Sequence, residues 1–119
     1  MRIITMQQIL NRAVITVTPN EPFLQWIQTA DDISTHIATE DVYSPNAYLV
    51  EDTQDGMDPE KLIQKNFKTI FEEELNGWII DESMWPQKRD LRVFKQWFQI
   101  TVREIVYDLS DKPILREEY

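Results

Sequence analysis

The sequence feature that most constrains the fold is a long amphipathic segment in the middle of the chain. Its large apolar side chains recur at spacings of three and four residues: Leu62, Ile63, Phe67, Ile70, Phe71 and Leu75. That period places them on one stripe of an α-helix, which must be buried against another element. Asp58 and Pro59 suit the N-cap and the first turn, and Gly77 suits a left-handed residue just past the end. We therefore predict a helix over 59–76.

Shorter runs predict the elements that this helix packs against. Residues 13–18 are rich in β-branched side chains and stop at Pro19, and residues 46–51 form a second apolar run, so both are predicted strands. Apolar residues at helical spacing predict short helices from Asn20 to about residue 30 and after Asp90. We expect loops over 31–46 and 52–58, a strand fragment at 78–80 and a turn over 81–86.

The segment 98–109 fits two structures. Phe98, Ile100 and Val102 alternate as in a strand, but the phase slips before Ile105, and a β-bulge at Arg103-Glu104 would repair it. A continuous helix would instead align these apolar residues on one side. Because β-branched and aromatic residues dominate positions 100–107, we favour the strand.

These elements predict an α+β fold in the order β-α-β-α-α-β. The simplest solution is a small two-layer domain, with about three strands covered by helices on one face. If the first two strands were parallel, their crossover would be right-handed. At 119 residues we expect a single domain over 1–119, with 1–11 as a loosely ordered N-terminal extension.

Composition excludes several classes of function. The chain has no cysteine, so thiolate metal sites and cysteine nucleophiles are ruled out, and its two glycines cannot build a phosphate-binding loop. No stretch is apolar enough for a membrane span or a signal peptide, which favours a cytoplasmic protein. The net charge of −9 argues against direct contact with nucleic acid or an anionic membrane. Most of that charge lies before residue 61, since residues 13–60 contain no Lys or Arg.

No cofactor or metal site is predicted. His36 is the only histidine and has no paired nucleophile, so we interpret it as a surface residue. The acidic loop 51–58 resembles a calcium loop only superficially, because residues 51, 53 and 62 are not the required ligands. A solvated turn that caps the next helix explains the same residues.

The triplet Glu72-Glu73-Glu74 breaks a local rule. It falls in the last turn of the predicted helix, where the helix dipole favours cations. One interpretation is intramolecular: Lys88, Arg89 and Arg92 follow a turn that could fold back over the helix end. The other is functional, because acids placed against a local preference often mark a site. In that case the triplet, with Asp81 and Glu82, presents an acidic face to a basic partner or a divalent cation.

Trp85 lies between Met84 and Pro86 in a charged loop, so its role is open. Tryptophan is enriched in interface hot spots, which favours a place on the binding surface. Alternatively, its ring plugs the core and anchors the loop. A large loss of stability on Trp85→Ala would favour the anchor.

Several aromatic motifs resemble a family of short acidic bacterial proteins of unknown function. The resemblance covers roughly residues 12–112 and is strongest after residue 70. It implies a compact bacterial cytoplasmic domain and no established activity. Members often carry a histidine where this chain has Arg103, so the resemblance implies no imidazole chemistry there. The motifs that carry it are Pro22-Phe23-Leu24-Gln25-Trp26, Phe71-Glu72-Glu73-Glu74-Leu75-Asn76-Gly77-Trp78, Asp81-Glu82-Ser83-Met84-Trp85-Pro86, Phe94-Lys95-Gln96-Trp97-Phe98 and Val106-Tyr107-Asp108-Leu109.

The sequence thus favours a non-enzymatic protein-binding or adaptor domain. Its partner would be a protein with a basic surface, and its oligomeric state is left open. One alternative is an inhibitor or immunity-type protein whose acidic surface mimics nucleic acid. A third hypothesis is a carboxylate- or metal-dependent hydrolase that uses Glu72, Glu73, Asp81 or Glu104. The predicted binding residues are Glu72, Glu73, Glu74, Asp81, Glu82 and Trp85.

Overall fold

The computed structural model of the chain describes residues 8–30, 39–52 and 58–118. Its strands are β1 (Gln8–Ile9), β2 (Arg12–Pro19), β3 (Asn46–Glu51), β4 (Phe98–Arg103) and β5 (Tyr107–Asp108). Its helices are α1 (Glu21–Ala30), α2 (Thr39–Val42), α3 (Pro59–Asn76) and α4 (Leu91–Trp97), with a 3₁₀ turn at Glu82–Met84. The predicted small two-layer α+β fold is confirmed.

The central layer is a three-stranded antiparallel sheet in the order β3-β2-β4. Along β2 the side chains of Ala13, Ile15 and Val17 are fully buried, whereas those of Val14 and Thr16 are partly exposed. This alternation follows from the two-residue period of a strand that is covered on one face. Because β2 and β3 pair antiparallel, the expectation for a parallel crossover does not apply.

Within the segment 98–109, residues 98–103 and 107–108 are strands, as we favoured, residues 104–106 interrupt them, and the helix interpretation is wrong. β4 pairs with β2 as far as Val14 opposite Arg103, and β5 then pairs with β1, with Ile9 opposite Tyr107. Between the pair Ile9–Tyr107 and the pair Val14–Arg103, the N-terminal side of the ladder has residues 10–13 and the C-terminal side has only residues 104–106. Four residues therefore oppose three, so the extra residue lies among 10–13 and not at Arg103-Glu104, where the bulge was predicted. Of the predicted N-terminal extension, Gln8–Ile9 form β1.

A group of aromatic rings joins the helices to the sheet. Phe23 of α1, Phe71 of α3, Phe94 of α4 and Phe98 of β4 are fully buried or nearly so. Their neighbouring ring centroids are 5.2 to 5.6 Å apart, in tilted or edge-on arrangements. Such contacts add to the free energy gained from burial. Three helices are therefore fixed to the same edge strand.

Two helix caps form as predicted. Asp58 accepts a hydrogen bond from the backbone N–H of Glu60 at 3.0 Å, and Asp90 accepts one from Val93 at 2.9 Å. α3 spans residues 59–76, the range that its apolar stripe predicts.

The predictions just beyond α3 need correction. Gly77 has φ −64° and ψ −20°, so it continues the right-handed turn and is not left-handed. Trp78-Ile79-Ile80 does not form a strand, because the backbone N–H groups of Trp78 and Ile79 both donate to the carbonyl of Leu75, at 3.1 and 2.9 Å. Donors that close the helix end are not available to a sheet.

The remaining loops are described in part. The segment predicted as a loop over 31–46 contains α2, and the predicted turn over 81–86 contains the 3₁₀ turn. His36 and most of the acidic loop 51–58 lie outside the described residues. Within the described ranges, no helix is both long and apolar enough to cross a membrane.

Candidate functional site

Glu74 is the one charged residue that the structure buries among the described residues, with 5% of its surface exposed. It lies in the last turn of α3 beside the buried residues Phe71 and Leu75, so the helical repeat turns its side chain towards the sheet. There its Oε2 accepts hydrogen bonds from Asn46 Nδ2, at 2.9 Å, and from the hydroxyl of Tyr48. Both partners are on β3, so the carboxyl group links the helix end to an edge strand.

Burial controls the ionisation of this carboxyl group. Desolvation raises the pKa of Glu74 above the ordinary glutamate value and is the largest effect. The hydrogen bonds from Tyr48 and Asn46 favour the charged form and reduce the shift, while the neighbouring charge of Glu73 adds to it. Perturbed carboxyl groups in clefts are common at functional sites.

A cleft of about 430 Å³ opens beside Glu74, between the C-terminal end of α3 and the beginning of β3. The half-buried rings of Tyr48 and Trp78 form part of its wall, and Glu73 lies on its rim. The C-terminal end of a helix carries partial negative charge, which adds to that of the two carboxylates. The lining contains no Lys, Arg or His: Asn46, Ala47, Tyr48, Glu73, Glu74, Asn76, Gly77 and Trp78. This cleft, which we call the α3 cleft, is therefore suited to a cation.

The other member of the triplet points elsewhere. Glu72 is exposed and lines a separate cavity of about 280 Å³ with Lys68, Gln87 and Arg89. The turn after α3 thus folds back beside Glu72, as the intramolecular interpretation expected. However, Lys88 forms its ion pair with Asp90, at 3.8 Å, and the Arg89 side chain donates to the carbonyl of Pro86 at 2.6 Å.

Asp81 and Glu82 are exposed at the 3₁₀ turn. Asp81 caps that turn, accepting hydrogen bonds from the hydroxyl and the backbone N–H of Ser83 at 2.7 and 3.0 Å. These hydrogen bonds lower the pKa of Asp81 below its ordinary value. Neither acid lines the α3 cleft.

Trp85 is an anchor of the loop and is not part of an exposed surface. Only 8% of it is exposed, and its Nε1 donates to the carbonyl of Ile79 at 2.7 Å. The guanidinium of Arg89 lies 5.6 Å from the ring centroid, within the range of a cation–π contact. Trp26 of α1 fastens the same loop, since its Nε1 donates to the carbonyl of Met84 at 2.9 Å.

The six predicted binding residues therefore do not form one face. Glu73 and Glu74 meet in the α3 cleft, Glu72, Asp81 and Glu82 are exposed outside it, and Trp85 is in the core. Sequence reasoning missed Asn46, Tyr48 and Trp78. A signal for Glu74 was present, because it falls on the apolar stripe of α3, but nothing local linked it to β3.

The carboxylates suggested for hydrolysis do not converge. Glu72, Asp81 and Glu104 are exposed on α3, on the 3₁₀ turn and on the bend between β4 and β5. In the part of the chain that the structure describes, no group of three or more His, Cys, Asp or Glu side chains is placed to hold a metal ion.

Comparison with known proteins adds no family to this geometry. No family model, curated protein or solved structure matches the chain. The resemblance to short acidic bacterial proteins stays a prediction, and the α3 cleft is interpreted from its own residues.

Proposed function

We propose that this chain is a non-enzymatic binding module that captures a basic segment of a protein partner and seats one lysine-type ammonium group in the α3 cleft. The observation that carries the proposal is the composition of the cleft. Glu73 and Glu74 meet the rings of Tyr48 and Trp78 at the negative end of a helix, on a lining that has no basic side chain.

The chemistry of the lining suits an alkylammonium group. Carboxylates supply charge-assisted hydrogen bonds, and an aromatic face attracts a cation by about 0.5–2 kcal/mol, depending on its desolvation. Acids at a helix C-terminus cost about 0.3–1 kcal/mol each when no cation is near. A bound ammonium group would lie favourably at this negative helix end, beside the carboxyl groups of Glu73 and Glu74.

The ionisation of Glu74 makes the proposed binding depend on pH. A cation in the cleft favours the ionised carboxylate, whereas burial favours the protonated acid. Binding a cation therefore lowers the raised pKa of Glu74. By linkage, affinity for the cation increases as pH rises through that pKa.

The exposed acids have a different role in this proposal. Glu72, Asp81 and Glu82 lie outside the α3 cleft, so they contribute to the negative electrostatic field around the protein and do not contact the bound ammonium group. With a net charge of −9, that field attracts basic segments and increases their association rate at low salt.

The test uses a hexalysine peptide as probe, titrated by calorimetry and by NMR at low and high salt. We expect chemical shift changes at the side-chain amides of Asn46 and Asn76. Glu73→Gln combined with Glu74→Gln should weaken binding at least about fivefold, which corresponds to about 1 kcal/mol. Trp78→Ala should weaken it as well.

Glu73→Gln is also measured alone, and Glu72→Gln is its matched control, because it removes the same charge one residue away but outside the cleft. We expect a less than twofold effect from it. If Glu72→Gln weakens binding as much as Glu73→Gln, the peptide senses only the general field and the proposed site is wrong. The absence of measurable binding at low salt would also refute it.

A further inference from the structure

The molecule is longer than a chain of its size needs to be. Its radius of gyration is 17.2 Å and its principal dimensions are 60 × 31 × 24 Å, whereas a compact domain of this length has a radius of about 13.5 Å. β1 and β5 pair with each other, apart from the three-stranded sheet. Residues 109–118 after them are exposed and form neither helix nor strand. We call β1 together with residues 105–118 the arm.

The arm exposes large apolar side chains in a regular pattern. Ile105, Tyr107 and Leu109 follow one another at every second position, and Ile9 lies directly opposite Tyr107 across the ribbon. In extended structure this spacing places them on one face. Their exposed fractions lie between 55% and 78%, and Ile114 and Leu115 farther along are 59% and 83% exposed.

The surface of these residues is comparable in size to one side of an interface. With about 180–200 Å² for each fully exposed large residue, the six residues together present roughly 700–800 Å² of surface, backbone included. A stable protein–protein interface buries about 800 Å² on each partner. A patch of this size on a water-soluble chain marks an interaction surface.

We infer that two copies of this chain associate through the arm. A two-fold interface is self-complementary, so a single apolar stripe is enough to form it. The charges of the arm also fit a second copy. Lys112 and Arg116 lie among Asp108, Asp111, Glu117 and Glu118, so that antiparallel arms can bring the bases of one copy beside acids of the other.

This surface is separate from the α3 cleft. Asn46 of the cleft pairs with Val17 near the end of β2, whereas Ile9 of the arm precedes Arg12 at the beginning of that strand. At about 3.3 Å per residue, the five steps from Arg12 to Val17 alone span about 16 Å. Association through the arm therefore leaves the cleft open, and the inference does not rest on the proposed function.

The test is sedimentation equilibrium of the full chain from low micromolar to submillimolar concentration. We expect a concentration-dependent species of twice the single-chain mass. Because each copy carries a charge of −9, added salt should strengthen association, whereas it should weaken hexalysine binding. The double variant Leu109→Glu with Leu115→Glu should weaken association at least about tenfold, since it places charges in the apolar centre of the interface.

Ile80→Glu is the matched control, because Ile80 is apolar, 81% exposed and outside the arm. It should leave association unchanged, and circular dichroism should show that both variants keep the fold. A single-chain mass at every concentration would overturn the inference. Equal effects of the arm variant and Ile80→Glu would overturn it too. Hexalysine binding should change by less than about twofold in all these variants, because they add charge only to the general field and not to the α3 cleft.

Discussion

Replacing Trp85 by alanine measures whether this side chain anchors the loop after α3. Trp85 is 8% exposed and donates its Nε1 hydrogen to the carbonyl of Ile79 at 2.7 Å. Truncating a buried tryptophan costs about 3–5 kcal/mol, through lost apolar burial and the cavity left behind. Leaving the partly buried carbonyl of Ile79 without its donor adds to that cost. We therefore expect Trp85→Ala to lower the free energy of unfolding by about 3–5 kcal/mol.

The corresponding change in melting temperature follows from the size of the chain. An unfolding entropy of about 2.1 cal/mol/K per residue gives about 0.25 kcal/mol/K for this protein, so we expect a decrease of about 12–20 °C. Trp85→Phe keeps most of the ring but removes the Nε1 donor, and should cost about 1–3 kcal/mol. It keeps the test informative if the alanine variant does not fold.

Urea unfolding followed by far-ultraviolet circular dichroism is the appropriate assay, because tryptophan fluorescence would lose one of its reporters. Ile80→Ala is the control from the same loop: Ile80 is 81% exposed, and its truncation should change stability by less than about 0.5 kcal/mol. If Trp85→Ala costs no more than Ile80→Ala, the ring does not anchor the loop and the structural argument fails.

Three further changes test local features of α3 and α4. Glu74→Gln keeps an oxygen that can accept from Asn46 and Tyr48 but removes the titrating group. Because the pKa of Glu74 is raised in the folded protein, the wild type loses stability as pH rises through that pKa, and the stability of the variant relative to the wild type should increase by up to about 1.4 kcal/mol per pH unit there. A pH-independent difference in urea unfolding would contradict this. Gly77→Ala should raise the melting temperature and increase the free energy of unfolding by about 0.4–1 kcal/mol, because φ is −64° and an added Cβ would lie 3.5 Å from the carbonyl oxygen of Glu73. Destabilisation would instead indicate that this glycine is left-handed. Asp90→Ala removes the α4 cap and should cost about 1 kcal/mol in thermal unfolding, while Asp90→Asn should cost less.

Local patterns in the sequence determined the regular elements. The apolar stripe, with Asp58 and Pro59, predicted both ends of α3, because helix period and capping depend on residues within a few positions of each other. The cap at Asp90 was found for the same reason. The α+β class followed from these elements, since a one-sided helix and alternating strands must cover each other.

Only the tertiary structure determined the conformation or burial of those residues whose contacts come from distant parts of the chain. Residues 98–103 became a strand because β2, some eighty positions earlier, supplies their hydrogen-bond partners. Trp85 became an anchor because the loop, which Trp26 of α1 holds at the carbonyl of Met84, places the Trp85 ring where it donates to the carbonyl of Ile79. Glu74 is buried because Asn46 and Tyr48 of β3 offer donors to its carboxylate. The sequence marked the triplet of glutamates as unusual. Only the tertiary structure showed that Glu73 and Glu74 line the α3 cleft and that Glu72 lies outside it.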